Sequence, residues 1–213
     1  MRLDKFPLAS PGWPYIAACL LLAAVATALS VWVMAIPLWL ILLLMINFFR
    51  DPARQSQAPE RAVISPADGK VVAIEPRAGG GDLPPGDWRV VSIFMNIFDV
   101  HVNRAPAGGR VEGIVHHPGG YLPADRPEAA TGNERLALHL ETPYGPLVVV
   151  QVAGLVARRI ECYLAAGDPV ARGQRYGMIR FGSRLDVYLP ATATVSVKPG
   201  DRVRAGITPI GEF

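Results

Sequence analysis

One dipeptide in this chain carries a reactive option: Gly182-Ser183, inside Gly177-Met178-Ile179-Arg180-Phe181-Gly182-Ser183-Arg184. A Gly–Ser bond suits internal acyl transfer, because glycine leaves its carbonyl sterically open and serine holds a hydroxyl one residue away. No other Gly-Ser pair occurs in the sequence. A small turn before a strand would use the same two residues. Two further polar segments precede it in order, Ser65-Pro66-Ala67-Asp68-Gly69-Lys70 and Asp99-Val100-His101-Val102-Asn103-Arg104-Ala105-Pro106. They add a carboxylate, an imidazole and a guanidinium to the candidate hydroxyl.

The elements that must position these groups begin with an apolar N-terminus. From Phe6 to Phe49 there is no Asp, Glu, Lys or Arg, and Tyr15 to Phe49 is almost wholly apolar. A single membrane span needs about 20 residues, so this run fits a helical hairpin. Pro37 predicts the break between arms of roughly Trp13–Ala35 and Pro37–Phe49, the second short enough to dip into one leaflet. Arg2 and Lys5 precede the run and Arg50, Arg54 and Arg61 follow it, which by the positive-inside rule leaves both ends in the cytoplasm. A cleaved signal peptide fits poorly, since strong hydrophobicity continues well past Ala26-Thr27-Ala28. Cys19 lacks the apolar stretch that a lipoprotein signal needs before it.

Residues 1–49 are thus expected to form a membrane-anchoring helical hairpin, 50–64 a polar linker, and 65–213 one domain. Short Val-, Ile- and Tyr-rich runs at Lys70–Ile74, Arg89–Met95, Leu136–Leu140, Leu147–Val152 and Leu185–Leu189 predict strands, separated by Gly and Pro. Ala78–Asp87, with three consecutive glycines, reads as a loop, and it lacks the Lys-Ser/Thr of a P-loop. The fold class is mainly β (α+β): a compact, barrel-like, lipoyl-like β-sandwich hybrid behind a helical hairpin, the turn around Val195–Gly206 adding to that likeness.

Composition excludes several classes. The two cysteines, Cys19 and Cys162, give no disulfide framework, and Cys162 reads as a small buried apolar residue. A net charge of +3 without aromatics interleaved among Lys and Arg suits an anionic membrane surface better than nucleic acid. His116 and His117 are adjacent, so on a strand they face opposite ways, and no metal is expected. His139 reads as a packed or surface strand residue, Arg158-Arg159 as a solvated edge or a lipid-phosphate contact, and Asp186 as decoration of the strand after the candidate bond. Gly-x-Ser-x-Gly is absent, which argues against an ordinary serine hydrolase.

Together with Phe49-Arg50-Asp51-Pro52, these ordered motifs resemble phosphatidylserine decarboxylase, in its short bacterial and archaeal-type branch, over about Phe48–Phe213. The resemblance implies a self-made cofactor. Ser183 Oγ attacks the Gly182 carbonyl, the amide becomes an ester, and elimination at Ser183 frees a carboxyl end on Gly182. The dehydroalanine left behind hydrolyses to ammonia and a pyruvoyl group. A membrane-bound β chain, 1–182, and an α chain, 183–213, would remain together as a heterodimer. The pyruvoyl ketone, in Schiff-base linkage with phosphatidyl-L-serine, would take up the charge left by CO₂ and yield phosphatidylethanolamine.

The resemblance also implies roles for the polar segments. His101 is the expected general base of processing and an acid in catalysis, with Asp68 orienting it by triad logic; the alternative for each is a turn-stabilising residue. Longer family members carry His-Arg-x-His-x-Pro, and this chain has Arg104 where their catalytic histidine stands. Either His101 takes over that role, or Arg104 binds substrate phosphate or carboxylate. The implied location is the bacterial cytoplasmic membrane with the domain facing the cytoplasm; a homo-oligomer is compatible with these residues. Two other readings stay open: a non-enzymatic, membrane-tethered β module acting as an adaptor, and a decarboxylase of an archaeal ether serine lipid.

Overall fold

The computed structural model describes residues 7–81, 83–155, 160–180 and 183–213. Arg158, Arg159, Phe181 and Gly182 lie outside the described residues. The chain divides into two compact units, Met1–Ala53 and Arg54–Phe213.

In the first unit, α1 (Trp13–Ala28) and α2 (Trp32–Phe48) form a helical pair. The corner differs from the expectation. It falls at Leu29–Val31, where Ser30 takes φ 56° and the Ser30 and Val31 amides close back onto the Thr27 and Ala26 carbonyls. Pro37 lies inside α2. So early in a helix its missing N–H forfeits only the bond to Val33, close to an end whose donors lack helical partners in any case. The pair is apolar all round, with Leu21, Leu22, Val33, Leu40 and Leu43 all exposed, which is the surface expected of helices solvated by lipid. Ser10–Ala28 is long and apolar enough to cross a membrane. The 17 residues of α2 span ~26 Å at ~1.5 Å per residue. The two ends are tied by hydrogen bonds from Ala9 N to Phe49 O and from Asp51 N to Pro7 O, each 2.7 Å.

The second unit is mainly β. Its strands are β1 (Ala62–Ile64), β2 (Gly69–Gly80), β3 (Leu83–Met95), β4 (Val102–Arg104), β5 (Gly109–His117), β6 (Arg135–Thr142), β7 (Gly145–Val152), β8 (Ile160–Cys162), β9 (Pro169–Val170), β10 (Arg175–Ile179), β11 (Ser183–Pro190), β12 (Thr194–Val195), β13 (Arg202–Val203) and β14 (Pro209–Glu212), with a single helical turn, α3 (Ala129–Gly132), before β6. A curled sheet runs in the order β13-β2-β3-β11-β7-β6-β5-β9, joined by two three-stranded sheets, β1-β14-β12 and β4-β10-β8. The five runs predicted as strands are its contiguous middle, β2-β3-β11-β7-β6. Ala78–Asp87 is not a plain loop: Ala78 pairs with Asp87 and Gly80 with Leu83, so the hairpin continues to its tip. Gly80 and Gly81 take positive φ there, which lets the chain reverse.

Alternation gives β11 two different faces. Leu185, Val187 and Leu189 join the main core with Ile93, Met95, Leu138 and Val149, closed over by Tyr176 and Ile179 of β10. The other face packs Tyr188 against a smaller cluster of Trp88, Ala137, Val148, Val150 and Val152. β10 can lie close to β8 only because Gly177 has no side chain; a Cβ there would stand 2.2 Å from Glu161 O and 3.1 Å from Gln151 Nε2. Gly177→Ala should therefore destabilise the domain by about 1–3 kcal/mol, read as a lowered midpoint in urea. An unchanged midpoint would contradict this account of the β8–β10 contact.

Candidate active site

Ser183 is the first residue of β11, and the register sets it opposite Met95, the last residue of β3. Arg184 stands opposite Phe94 on one side and Val152, the last residue of β7, on the other. The serine therefore heads a central strand between two neighbours that end beside it. It is fully buried, and its Oγ has no hydrogen-bond partner among the described residues. A buried hydroxyl without a partner costs about 1–3 kcal/mol, so this position stores an unmet demand that a purely structural site would satisfy.

The next residues anchor that strand end. Arg184 donates from Nε to Asp186 Oδ1 at 2.7 Å and from Nη2 to Ser92 Oγ at 2.8 Å, and all three residues are buried on the sheet face away from Ser183. Asp186 is thus no surface decoration: at 1 % exposure it is the counter-charge that lets Arg184 be buried.

His101 is also fully buried, and its Nδ1 lies 2.9 Å from the Asp99 carbonyl oxygen. A backbone carbonyl can only accept, so Nδ1 carries the proton and Nε2 is the basic nitrogen of the neutral ring. That is the tautomer a general base needs. Asp68 is held elsewhere than in the expected triad contact. Its carboxylate takes a two-pronged ion pair from Arg54, with Nη2 to Oδ2 at 2.8 Å, and the Ala205 amide at 2.7 Å. Arg54 falls in the stretch expected to be linker. The same turn is bound to the His101 segment through the backbone, with Arg104 N donating to Pro66 O and Ile64 N to Pro106 O, both at 2.9 Å. Arg104 is buried and donates from Nη1 to Gly173 O at 3.1 Å. The structure thus joins the Asp68 and Arg104 segments directly, and orients His101 by a peptide carbonyl.

Two buried carboxamides escaped the sequence reading. Gln151 on β7 faces the same side as Ser183 and Leu185; its Nε2 donates to Asn103 Oδ1 at 2.8 Å, and Asn103 Nδ2 approaches Met95 Sδ at 3.9 Å. Gln151 Oε1 is buried without a partner among the described residues. A Gln alternating within an apolar strand was the available signal. His116 pairs with Glu134 at 3.2 Å, and no metal-binding cluster forms among the described residues. Cys162 packs at the core edge and burial pushes its thiol up.

A cavity of about 200 Å³ opens on the other face of the sheet, among Arg77, Thr131, Arg135 and Tyr188. The Tyr188 phenol there is pushed up to about 12, by burial first and then by Asp186. This cavity is separated from Ser183 by the thickness of the sheet.

Fold and site together define a mainly β domain with a buried serine at the head of a central strand, preceded in the chain by an apolar helical pair. Comparison with known proteins agrees. The sequence model described as phosphatidylserine decarboxylase matches residues 41–211. A phosphatidylserine decarboxylase proenzyme from Magnetococcus marinus is 48% identical over 208 residues, covering 97% of this chain and 95% of the relative. One from Ralstonia pickettii is 45% identical, with the same coverage of both chains. The chain belongs to the phosphatidylserine decarboxylase family.

Two outcomes test this geometry. Asp186→Ala, which strands a buried guanidinium, should cost about 3–5 kcal/mol in denaturant unfolding, and a loss near zero would contradict the buried ion pair. A phenol whose folded value is raised from 10.0 to about 12 binds its proton more tightly in the native state. Its stabilisation is therefore complete below pH 10 and lost as pH rises toward 12. Tyr188→Phe should flatten this alkaline fall by about 2 kcal/mol, measured as unfolding free energy against pH; an unchanged slope would contradict the burial.

Proposed function

We propose that this protein is a pyruvoyl-dependent phosphatidylserine decarboxylase that makes its own prosthetic group by cutting the Gly182–Ser183 bond. The observation that carries the reading is Ser183 Oγ, buried at the head of β11 with no partner among the described residues. Relatives bearing the name proenzyme support a processed precursor.

In processing, His101 Nε2 takes the hydroxyl proton as Oγ adds to the Gly182 carbonyl and returns it to the Ser183 nitrogen as the C–N bond breaks. Removal of the Ser183 Cα proton then expels Oγ with the Gly182 carboxylate and leaves dehydroalanine at 183, which tautomerises to an imine and takes up water, releasing ammonia, so that chains 1–182 and 183–213 remain with a ketone at the head of the second. Ser183 fits the pyruvoyl group because the atom to be consumed has no structural partner to lose. A pyruvoyl carbonyl at residue 183 supplies the electron sink for the pair left when CO₂ departs from phosphatidylserine. The chain supplies the rest: Arg184 and Asp186 fix the strand that bears residue 183, His101 moves protons, and the Asn103–Gln151 pair lines the inner face. Arg104 serves the substrate's phosphate or carboxylate. Asp68, largely neutralised by Arg54, acts as a positioning residue for the turn packed on Arg104.

The apolar helical pair holds the enzyme at the bacterial cytoplasmic membrane. Arg50, Arg54 and Arg61 after the apolar run favour a catalytic unit on the cytoplasmic side.

Two substitutions test the chemistry. Ser183→Ala should leave one intact chain without decarboxylase activity. His101→Ala should slow splitting by about 10²–10⁴-fold, followed by denaturing electrophoresis during synthesis. Splitting of His101→Ala at the normal rate would remove His101 from the base role.

A further inference from the structure

The loops that frame Ser183 carry apolar side chains outward. β3 ends at Met95 opposite Ser183, and β7 ends at Val152 opposite Arg184, so the segments that follow both strands leave the sheet at the reactive end. The first presents Ile97 at 43% and Phe98 at 64% exposure, and the second presents Leu155 at 61%. Leu122 joins them, exposed, because Asn133 binds its backbone on one side and the Ala153 carbonyl on the other.

These side chains are held out by built turns. The Asn96 amide donates to Asp99 Oδ2 at 2.9 Å, the Phe98 amide to Asn96 Oδ1 at 2.8 Å, and the Asp99 amide to the Asn96 carbonyl at 3.0 Å. The loop that displays Ile97 and Phe98 is the one whose Asp99 carbonyl orients His101. Exposed cations stand beside it. Arg202, its side chain 69% exposed, reaches Asp99 at 3.4 Å, and Lys70, also exposed, is its register partner and the neighbour of Phe94.

We infer that this rim is where the catalytic unit docks on an anionic lipid bilayer, with Ile97, Phe98, Leu122 and Leu155 entering the acyl boundary and Lys70 and Arg202 meeting lipid phosphates. Clustered apolar groups rimmed by positive charge at one end of a domain match a membrane interface in both chemistry and sign. The inference rests on the decarboxylase reading for its purpose: a serine headgroup reaches residue 183 without its acyl chains leaving the bilayer.

The test uses the full chain in vesicles containing phosphatidylserine. NBD attached at Phe98→Cys, in a chain with Cys19→Ala and Cys162→Ala, should emit as in an apolar medium and be quenched by lipids brominated on the upper acyl chain. The variant Ile97→Ser/Phe98→Ser should split normally, turn over bilayer phosphatidylserine about tenfold or more slowly, and turn over monomeric dihexanoyl phosphatidylserine within twofold of the native rate. Water-like NBD emission insensitive to bromine overturns the docking, as does an equal effect on both substrates. A change in particle mass on sedimentation of the double variant also overturns it, by assigning the rim to a second copy of the chain. Bromine quenching in a chain that turns over neither substrate supports the docking and sinks the decarboxylase reading alone.

Discussion

A hydroxyl that finds no partner among the described residues, buried at the head of a strand paired on both sides, is the condition on which the rest of this structure depends. Ser183 cannot relieve its Oγ by moving, because β3 and β7 pair with β11 on either side and the following residue is locked through Asp186 and Ser92. An unmet hydrogen bond destabilises the native state by about 1–3 kcal/mol, an amount comparable to a sizeable part of a small domain's net stability. The apolar packing of Leu185, Val187 and Leu189 in the main core offsets that cost and keeps the strand in register. In the proposed cleavage, a strand held in register gives the acyl-transfer step its geometry, since effective concentration falls when the reacting groups can wander.

The central strand separates two kinds of work. On the inner side are Ser183, the carboxamides of Gln151 and Asn103, and the apolar core; on the outer side are the buried ion pair and the Tyr188 cavity. The groups that share the inner face with Ser183 through the strand register are the uncharged Gln151 carboxamide and apolar side chains. A low-dielectric environment of that kind strengthens the few hydrogen bonds it contains. The Asp68–Arg54 pair lies on a neighbouring turn and binds the polar segments to each other through backbone amides and carbonyls.

Much of this was legible in the sequence, and the limits have physical causes. Short apolar runs rich in Val, Ile and Tyr located the five middle strands, because strands buried on both faces, as β7 and β11 are, leave little room for other residues. The only Gly-Ser dipeptide singled out a serine that the structure buries at the head of β11. Pro37 misplaced the helical corner because a proline near a helix start is cheap, whereas Ser30 in a left-handed conformation gives no strong signal. Asp186, Arg54, Gln151 and Asn103 gain their importance from partners 2 to 151 residues away in the chain, and single-sequence patterns do not report such pairings. The Asp99 carbonyl, a backbone group, leaves no side-chain signature at all.

The central claim is that residue 183 is consumed as a serine and persists as a carbonyl. Intact mass of the denatured wild-type protein, before and after cyanoborohydride treatment with an amine, tests it most directly. The account predicts two polypeptides, 1–182 and 183–213, with the smaller one blocked at its N-terminus and gaining the mass of one reduced amine adduct. A single active polypeptide of full mass that takes up no amine would contradict it.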